Sequence, residues 1–447
     1  MKLVNSMLIS RRKFLRMAGA TTLVATCTPN ALLGQSLFNT HQPQTSPSAL
    51  TGMQALSPQR EMLLGYPVNM EIPPAEFFAW RRKLFDVGIN HFGFNNIGNP
   101  YTHSHIPFNS HHFEKELIER FGVVYGFSPG NIWGFLTNSG TDSNMHGIYM
   151  GRTLLKGRTG VMPKIYFSRE AHYSIQILQD LLNLEWVVVE TNPDGSMDID
   201  DLDHKLRANS SHPALVVATI GTTFKGAIDS IDGIQSKLKD REFYLHLDAA
   251  LFGGYLPHTQ FAAEILHKAP ALEAGWASQR YDSIAVSCHK FFGFPSPAGL
   301  FITTQTNFED FQTLFGKVHN PEYTLQVPGT ITCSRDSVKP AEFHFFSSKS
   351  ALAKQVVSAK TMLNNADYLL KELKNHYAHL NPSRANNRSN TIYFKKPSDT
   401  VVNRYTLATM GLTIDGQKEP YAHIVVMPHA SKKILDRLLT DLGSQRS

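Results

Sequence analysis

A lysine ends the motif Ser287-Cys288-His289-Lys290, which follows a short apolar run, Ser283-Ile284-Ala285-Val286. A surface lysine is protonated and a poor nucleophile. One partly buried beside His289 loses its proton more readily and can form an imine with a carbonyl. Upstream, His246-Leu247-Asp248-Ala249-Ala250 closes another apolar strand, where an unpaired carboxylate is costly. A protonated pyridine nitrogen would pair with Asp248 and stay cationic, which makes the ring an electron sink. Asn138-Ser139-Gly140-Thr141-Asp142 closes a third strand. Its glycine lets the backbone come close, and N–H groups at a helix start bind phosphate. Lysine, aspartate and phosphate turn together are what pyridoxal 5'-phosphate requires.

Other residues join this set. Ser287 and His289 can both donate to a phosphate. His172, in Ala171-His172-Tyr173-Ser174, could stack on a pyridine ring, and Thr223, in Gly221-Thr222-Thr223, could bring a hydroxyl near it. Each has a plainer reading: a solvated strand end for Lys290, a helix cap for Asp248, a turn for Gly140-Thr141 and Thr223, an ordinary polar contact for His172. His103, His105, His111 and His112 lack a third ligand at metal spacing, so no metal site is expected.

The elements that must position these residues alternate. Strands are expected at 132–137, 164–167, 186–190, 214–220, 243–247, 283–286 and 299–303. Helices are expected after Thr141, at 173–182, 200–206 and 231–238. Such alternation predicts an α/β domain with a mainly parallel sheet. It starts at the helical spacing of Phe113, Leu117, Ile118 and Phe121 and covers 111–334. Residues 335–447 change pattern, with helices near 350–376 and 431–442 flanking strands at 390–394 and 423–427, which suits a small α+β domain. Residues 61–110, dense in Pro, Gly, Asn and His, read as an extended arm, and 36–60 as a flexible linker.

With 42% hydrophobic and 18% charged residues among 447, the chain is an ordinary globular protein with a large core. The net charge of +6 is mostly local: Lys2, Arg11, Arg12, Lys13 and Arg16 leave the remainder near +1, so no nucleic-acid partner is expected. Ser10-Arg11-Arg12-Lys13-Phe14-Leu15-Arg16 before the uncharged run Met17 to Cys27 resembles a twin-arginine export signal. Residues 1–35 are therefore read as a leader that engages the twin-arginine machinery through residues 10–27. Periplasmic residence is expected, with a cytoplasmic location as the alternative. Cys27, Cys288 and Cys333 make no disulfide framework.

Taken in order, these motifs resemble the group II pyridoxal-phosphate amino-acid decarboxylases, above all the short bacterial histidine decarboxylases and plant serine decarboxylases. The resemblance runs from about Gly65-Tyr66-Pro67 to Leu442, through 133–144, 171–174, 220–229, 246–250, 287–290 and 423–428. It implies the aspartate aminotransferase-like fold (fold type I) and a homodimer. It makes Lys290 the Schiff-base lysine, Asp248 the pyridine-nitrogen partner and His172 the ring-stacking residue that also meets substrate. Gly140, Thr141, Ser287 and His289 become phosphate contacts, with Thr223 near the ring. The implied reaction is decarboxylation of an L-amino acid, histidine first. Serine decarboxylation, another lyase or aminotransferase reaction, and cofactor binding without catalysis are the alternatives. Two positions depart from the family pattern. Cys288 stands where Gly is usual, and Thr332-Cys333-Ser334-Arg335-Asp336-Ser337 keeps only the Ser-Arg of a stretch that helps to complete the partner subunit's site. Ser334 is the substrate contact this loop would supply.

Overall fold

The apolar runs form a seven-stranded sheet of order β1-β7-β6-β5-β4-β2-β3 in the computed structural model of the protein. The strands are β1 (Trp133–Thr137), β2 (Lys164–Ser168), β3 (Trp186–Val189), β4 (Ala214–Thr219), β5 (Phe243–Asp248), β6 (Ser283–Ser287) and β7 (Gly299–Thr303). From β3 to β6 every neighbouring pair is parallel; β7 is antiparallel to both β6 and β1. Every residue of β4 is buried, as befits a strand covered on both faces. The structure describes residues 47–265, 281–320, 327–414 and 416–444. The expected leader, residues 1–35 with Cys27, lies outside them.

Helices join the strands. They are α1 (Ala75–Asp86), α2 (His111–Val124), α3 (Gly140–Thr159), α4 (Tyr173–Leu181), α5 (Ile199–Ala208), α6 (Ile231–Leu238) and α7 (Gln305–Gly316). Their starts are locally encoded. Ser139 accepts the Asp142 N–H at the head of α3, Asp198 those of Asp200 and Asp201 at α5, and Ser230 that of Gly233 at α6. Gly160, at φ 74°, ends α3 in the left-handed conformation.

The chain divides into two units, Met1–Ser57 and Pro58–Ser447. In the first, part of the expected flexible linker is helical, Pro47–Leu56, with Leu50, Met53 and Leu56 exposed. In the second, the expected extended arm contains α1, which begins after Pro74 and buries Phe77 and Leu84. Pro and Gly on either side concealed this amphipathic helix. A smaller sheet, β8 (Thr391–Lys395), β9 (Ala408–Ile414) and β10 (Gln417–Val425), is antiparallel in the order β8-β10-β9. With α8 (Lys349–His376) and α9 (Lys432–Gly443) it encloses a core that includes Leu369, Ile392, Phe394, Leu435 and Leu438. Leu64 joins this core and bonds to both sides of it: its N–H to Tyr405 O at 3.1 Å, its carbonyl to Val425 N–H at 2.8 Å. His423, between Phe224 O (2.8 Å) and Gly65 O (3.0 Å), fixes the next residue of the arm. Tyr66 and Pro67 are thereby carried to the ends of the large sheet's strands.

Candidate active site

Those strand ends enclose a cavity of about 420 Å³. Each parallel strand delivers its following turn to it, which is where open α/β sheets bind ligands. Gly140 and Thr141 come after β1, His172 after β2, Thr223 after β4, Asp248 at the end of β5, and Ser287, His289 and Lys290 at the end of β6. These residues span 151 positions of the chain from Gly140 to Lys290 and line one space. Ser334 does not. Its hydroxyl accepts from Asn95 Nδ2 at 3.0 Å, outside the cavity, because the next residue is anchored elsewhere. The Arg335 guanidinium is buried against Glu114, donates to Gly98 O at 3.1 Å and lies over the Phe135 ring.

Lys290 is half-buried, and burial pulls its ammonium below the ordinary lysine range while Asp248 opposes the shift. Asp248 is 4% exposed, and the one hydrogen bond to its carboxylate among the described residues is a long contact from Ala250 N–H, 3.4 Å. A carboxylate so buried and so poorly bonded asks for a cation. His172 is held below its usual range by burial, with Lys290 pushing the same way and Asp248 against it. His289 donates Nδ1–H to Ala298 O at 3.4 Å, and burial followed by Lys290 lowers its pKa. Its Nε2 donates only when the ring is protonated, a state that a nearby phosphate favours.

The turn after β1 is a phosphate cradle by construction. Gly140 and Thr141 occupy the first turn of α3, where N–H groups have no intrahelical acceptor. A Cβ on Gly140 would sit 2.5 Å from Ser287 Oγ, so glycine is what lets this hydroxyl close over the turn. Thr222 spends its hydroxyl on Ala227 N–H at 2.9 Å, which leaves exposed Thr223 to face the cavity. Helix-start and hydroxyl donors, a buried carboxylate and a lysine of lowered basicity, all lining one cavity, fit pyridoxal phosphate.

Sequence reasoning missed Tyr66, Pro67, Asn144, Thr219, Thr391 and Val425, which also line the cavity. Asn144 could have been found, four residues beyond Gly140 on the same helix face. The arm and β8–β10 residues arrive only through tertiary folding. Cys288 packs its buried thiol into the apolar core, and burial raises its pKa. Cys288 and Cys333 are both free thiols.

Comparison with known proteins supports the same assignment. Residues 156–318 match the pyridoxal-dependent decarboxylase conserved domain. Serine decarboxylase 1 of Oryza sativa subsp. japonica is 32% identical over 394 residues, 86% of this chain and 72% of that protein. Histidine decarboxylase of Pseudomonas entomophila (strain L48) is 30% identical over 385 residues, 85% of each chain. The crystal structure of L-methionine decarboxylase from Streptomyces sp. 590 superposes with a TM-score of 0.73 at 21% identity, covering 89% of this chain and 94% of that one. Fold and cavity together define a pyridoxal-phosphate enzyme of fold type I. Within that class, the similarity over most of the chain is to carboxy-lyases. The chain belongs to the group II pyridoxal-dependent decarboxylases.

Proposed function

We propose that the protein decarboxylates L-histidine to histamine and CO2. The observation that carries the decarboxylase chemistry is the convergence of Lys290, Asp248, His172 and the Gly140-Thr141 turn on one cavity. The histidine assignment is supported by histidine decarboxylases that match 85% of the chain. L-serine is the second reading, favoured by the 32% identity to the rice serine decarboxylase.

When bound, pyridoxal phosphate supplies an electron sink for the pair left on Cα as CO2 departs. Lys290 would hold its aldehyde end, Asp248 the ring nitrogen, and His172 the ring face, with Thr223 beside them. Gly140, Thr141, Ser287 and His289 would hold the phosphate. Lys290 Nζ, made less basic by burial, gives up and recovers a proton more readily than an exposed lysine. Asp248, 4% exposed, presents its carboxyl group to the same cavity as Lys290 and His172. His172 holds its one proton on Nε2, since Nδ1 accepts the Ser174 N–H. Tyr66, Pro67 and Phe252 wall the cavity against water.

Release of CO2 across a panel of L-amino acids tests the proposal. Histidine as the best substrate supports it, and serine as the best supports the second reading. Release from none, with cofactor bound, overturns both in favour of a cofactor-binding protein.

We further propose a homodimer exported to the periplasm by the twin-arginine route. The dimer is supported by an exposed apolar stripe on α4, Tyr173, Ile177 and Leu181, beside the cavity. Export is supported by Arg11-Arg12 followed by Phe14-Leu15. A single-chain mass by light scattering would overturn the first. Full-length protein with an intact N-terminus found only in the cytosol would overturn the second.

A further inference from the structure

Behind the cavity, three buried polar side chains from three elements form a line. Ser283 on β6 meets His246 Nδ1 at 2.7 Å, and His246 Nε2, on β5, meets Asn144 Oδ1, on α3, at 3.0 Å. Ser283 and His246 are fully buried and Asn144 is 2% exposed. Burial lowers His246 to about 3, so its ring is neutral and carries one N–H. That proton is on Nε2, because an amide oxygen can only accept. Nδ1 then takes the Ser283 hydroxyl proton, and every donor in the line has its acceptor.

The consequence falls on Asn144. Its oxygen is committed to His246, so its NH2 group is turned away from that contact, and Asn144 is part of the cavity wall. No side chain or carbonyl among the described residues accepts from Nδ2. The surroundings are shaped for this arrangement. A Cβ on Gly147 would come within 2.3 Å of His246 Cε1 and 2.4 Å of Nδ1, so α3 must be bare there for the imidazole to pack against it. Strand alternation puts His246 and Asp248 on one face of β5, Asp248 in the cavity and His246 one step deeper.

We propose that Asn144 is a further cofactor-binding residue, donating through Nδ2 to bound pyridoxal phosphate, and that His246, backed by Ser283, positions it. The inference rests on the cavity's being the cofactor site.

Affinity of the apoenzyme for pyridoxal phosphate, titrated by fluorescence quenching, tests it without recourse to activity. Asn144→Asp keeps an acceptor for His246 and replaces the donor facing the cavity by a negative acceptor. Its Kd for the cofactor rises about tenfold or more, with the melting temperature of the apoenzyme close to wild type. Asn144→Ala weakens binding in the same direction. His246→Leu, which frees the amide to turn, weakens it comparably, and His246→Gln, which keeps a neutral N–H donor, recovers part of the loss. A Kd in Asn144→Asp within about twofold of wild type overturns the proposal. If His246→Leu does not fold, Asn144→Asp decides alone. Wild-type protein that binds no pyridoxal phosphate would instead overturn the cofactor assignment of the cavity.

Discussion

Ser174 meets His172 Nδ1 twice, through its hydroxyl at 2.8 Å and its backbone N–H at 3.3 Å. A backbone N–H can only donate, so Nδ1 accepts and the ring's proton is on Nε2. The same contact caps α4, which ties the tautomer of His172 to the start of a helix. His172→Phe keeps an aromatic face and removes Nε2–H. It should bind pyridoxal phosphate normally and lower kcat by about 10²–10⁴-fold. Steady-state kinetics beside cofactor titration separates the two effects, and a fall below tenfold would show that the proton is not used.

Lys290 gives a chemically specific prediction. Lys290→Arg preserves the charge, but a guanidinium does not deprotonate and cannot form the imine. Turnover should vanish in both Lys290→Arg and Lys290→Ala. Borohydride reduction of the wild-type holoenzyme should fix the cofactor mass on the peptide that contains Lys290, and both variants should carry none. Cofactor mass found on another lysine would remove Lys290 from the mechanism.

The sites that could be read from the sequence share one property: each follows a strand buried on both faces. β4 and β6 are buried along their whole length, with apolar residues at their centres, and the residue after such a strand stands at the sheet's end. That is why Gly140, His172, Asp248 and Lys290 are legible as one site in the sequence. α1 was hidden by Pro73-Pro74 before it and Gly88 after it, and β9 by its exposure at a sheet edge, where Met410 is 43% exposed. Tyr66, Thr391 and Val425 reach the cavity through contacts such as His423 with Gly65 O, between residues 358 apart. No local pattern encodes such a contact. Ser334 stands beside Asn95, outside this chain's own cavity, because Arg335 is anchored on Glu114, a long-range contact that no local pattern announces.

The Glu114–Arg335 pair should be one of the most sensitive points of the fold. Both side chains are nearly inaccessible, and Glu114 also receives Leu136 N–H at 3.0 Å and Asn96 Nδ2 at 3.1 Å. Arg335→Ala leaves this carboxylate buried with its charge unpaired, at a cost of about 3–5 kcal/mol. Arg335→Met with Glu114→Leu removes both charges and should recover a large part of the loss. Urea denaturation of the single and double variants measures this. A single variant as stable as wild type would mean that solvent reaches the pair.

Asp229 should set a pH dependence of its own. Its carboxylate is fully buried and accepts Met197 N–H at 2.7 Å and Thr219 N–H at 2.8 Å. Burial raises its pKa to about 7 against the pull of those bonds, and Asp194 and Glu170 add to the rise. The folded chain therefore keeps this proton up to about pH 7, and the unfolded chain releases it near 3.8. Between those values the folded state binds more protons, so this group's contribution to stability is lost as pH rises, at about 1.4 kcal/mol per pH unit. His246 and His258, lowered by burial to about 3 and about 4, act in the opposite sense. Their unfolded forms take up protons below 6.5, so their contribution is lost as pH falls. Asp229→Asn removes only the first effect. It forfeits one acceptor and destabilises the protein at pH 5, and the gap from wild type narrows toward pH 8 as wild type alone loses stability. Urea melts at pH 5, 6, 7 and 8 follow that gap; one that stays constant or widens with pH would show that Asp229 is ionised throughout.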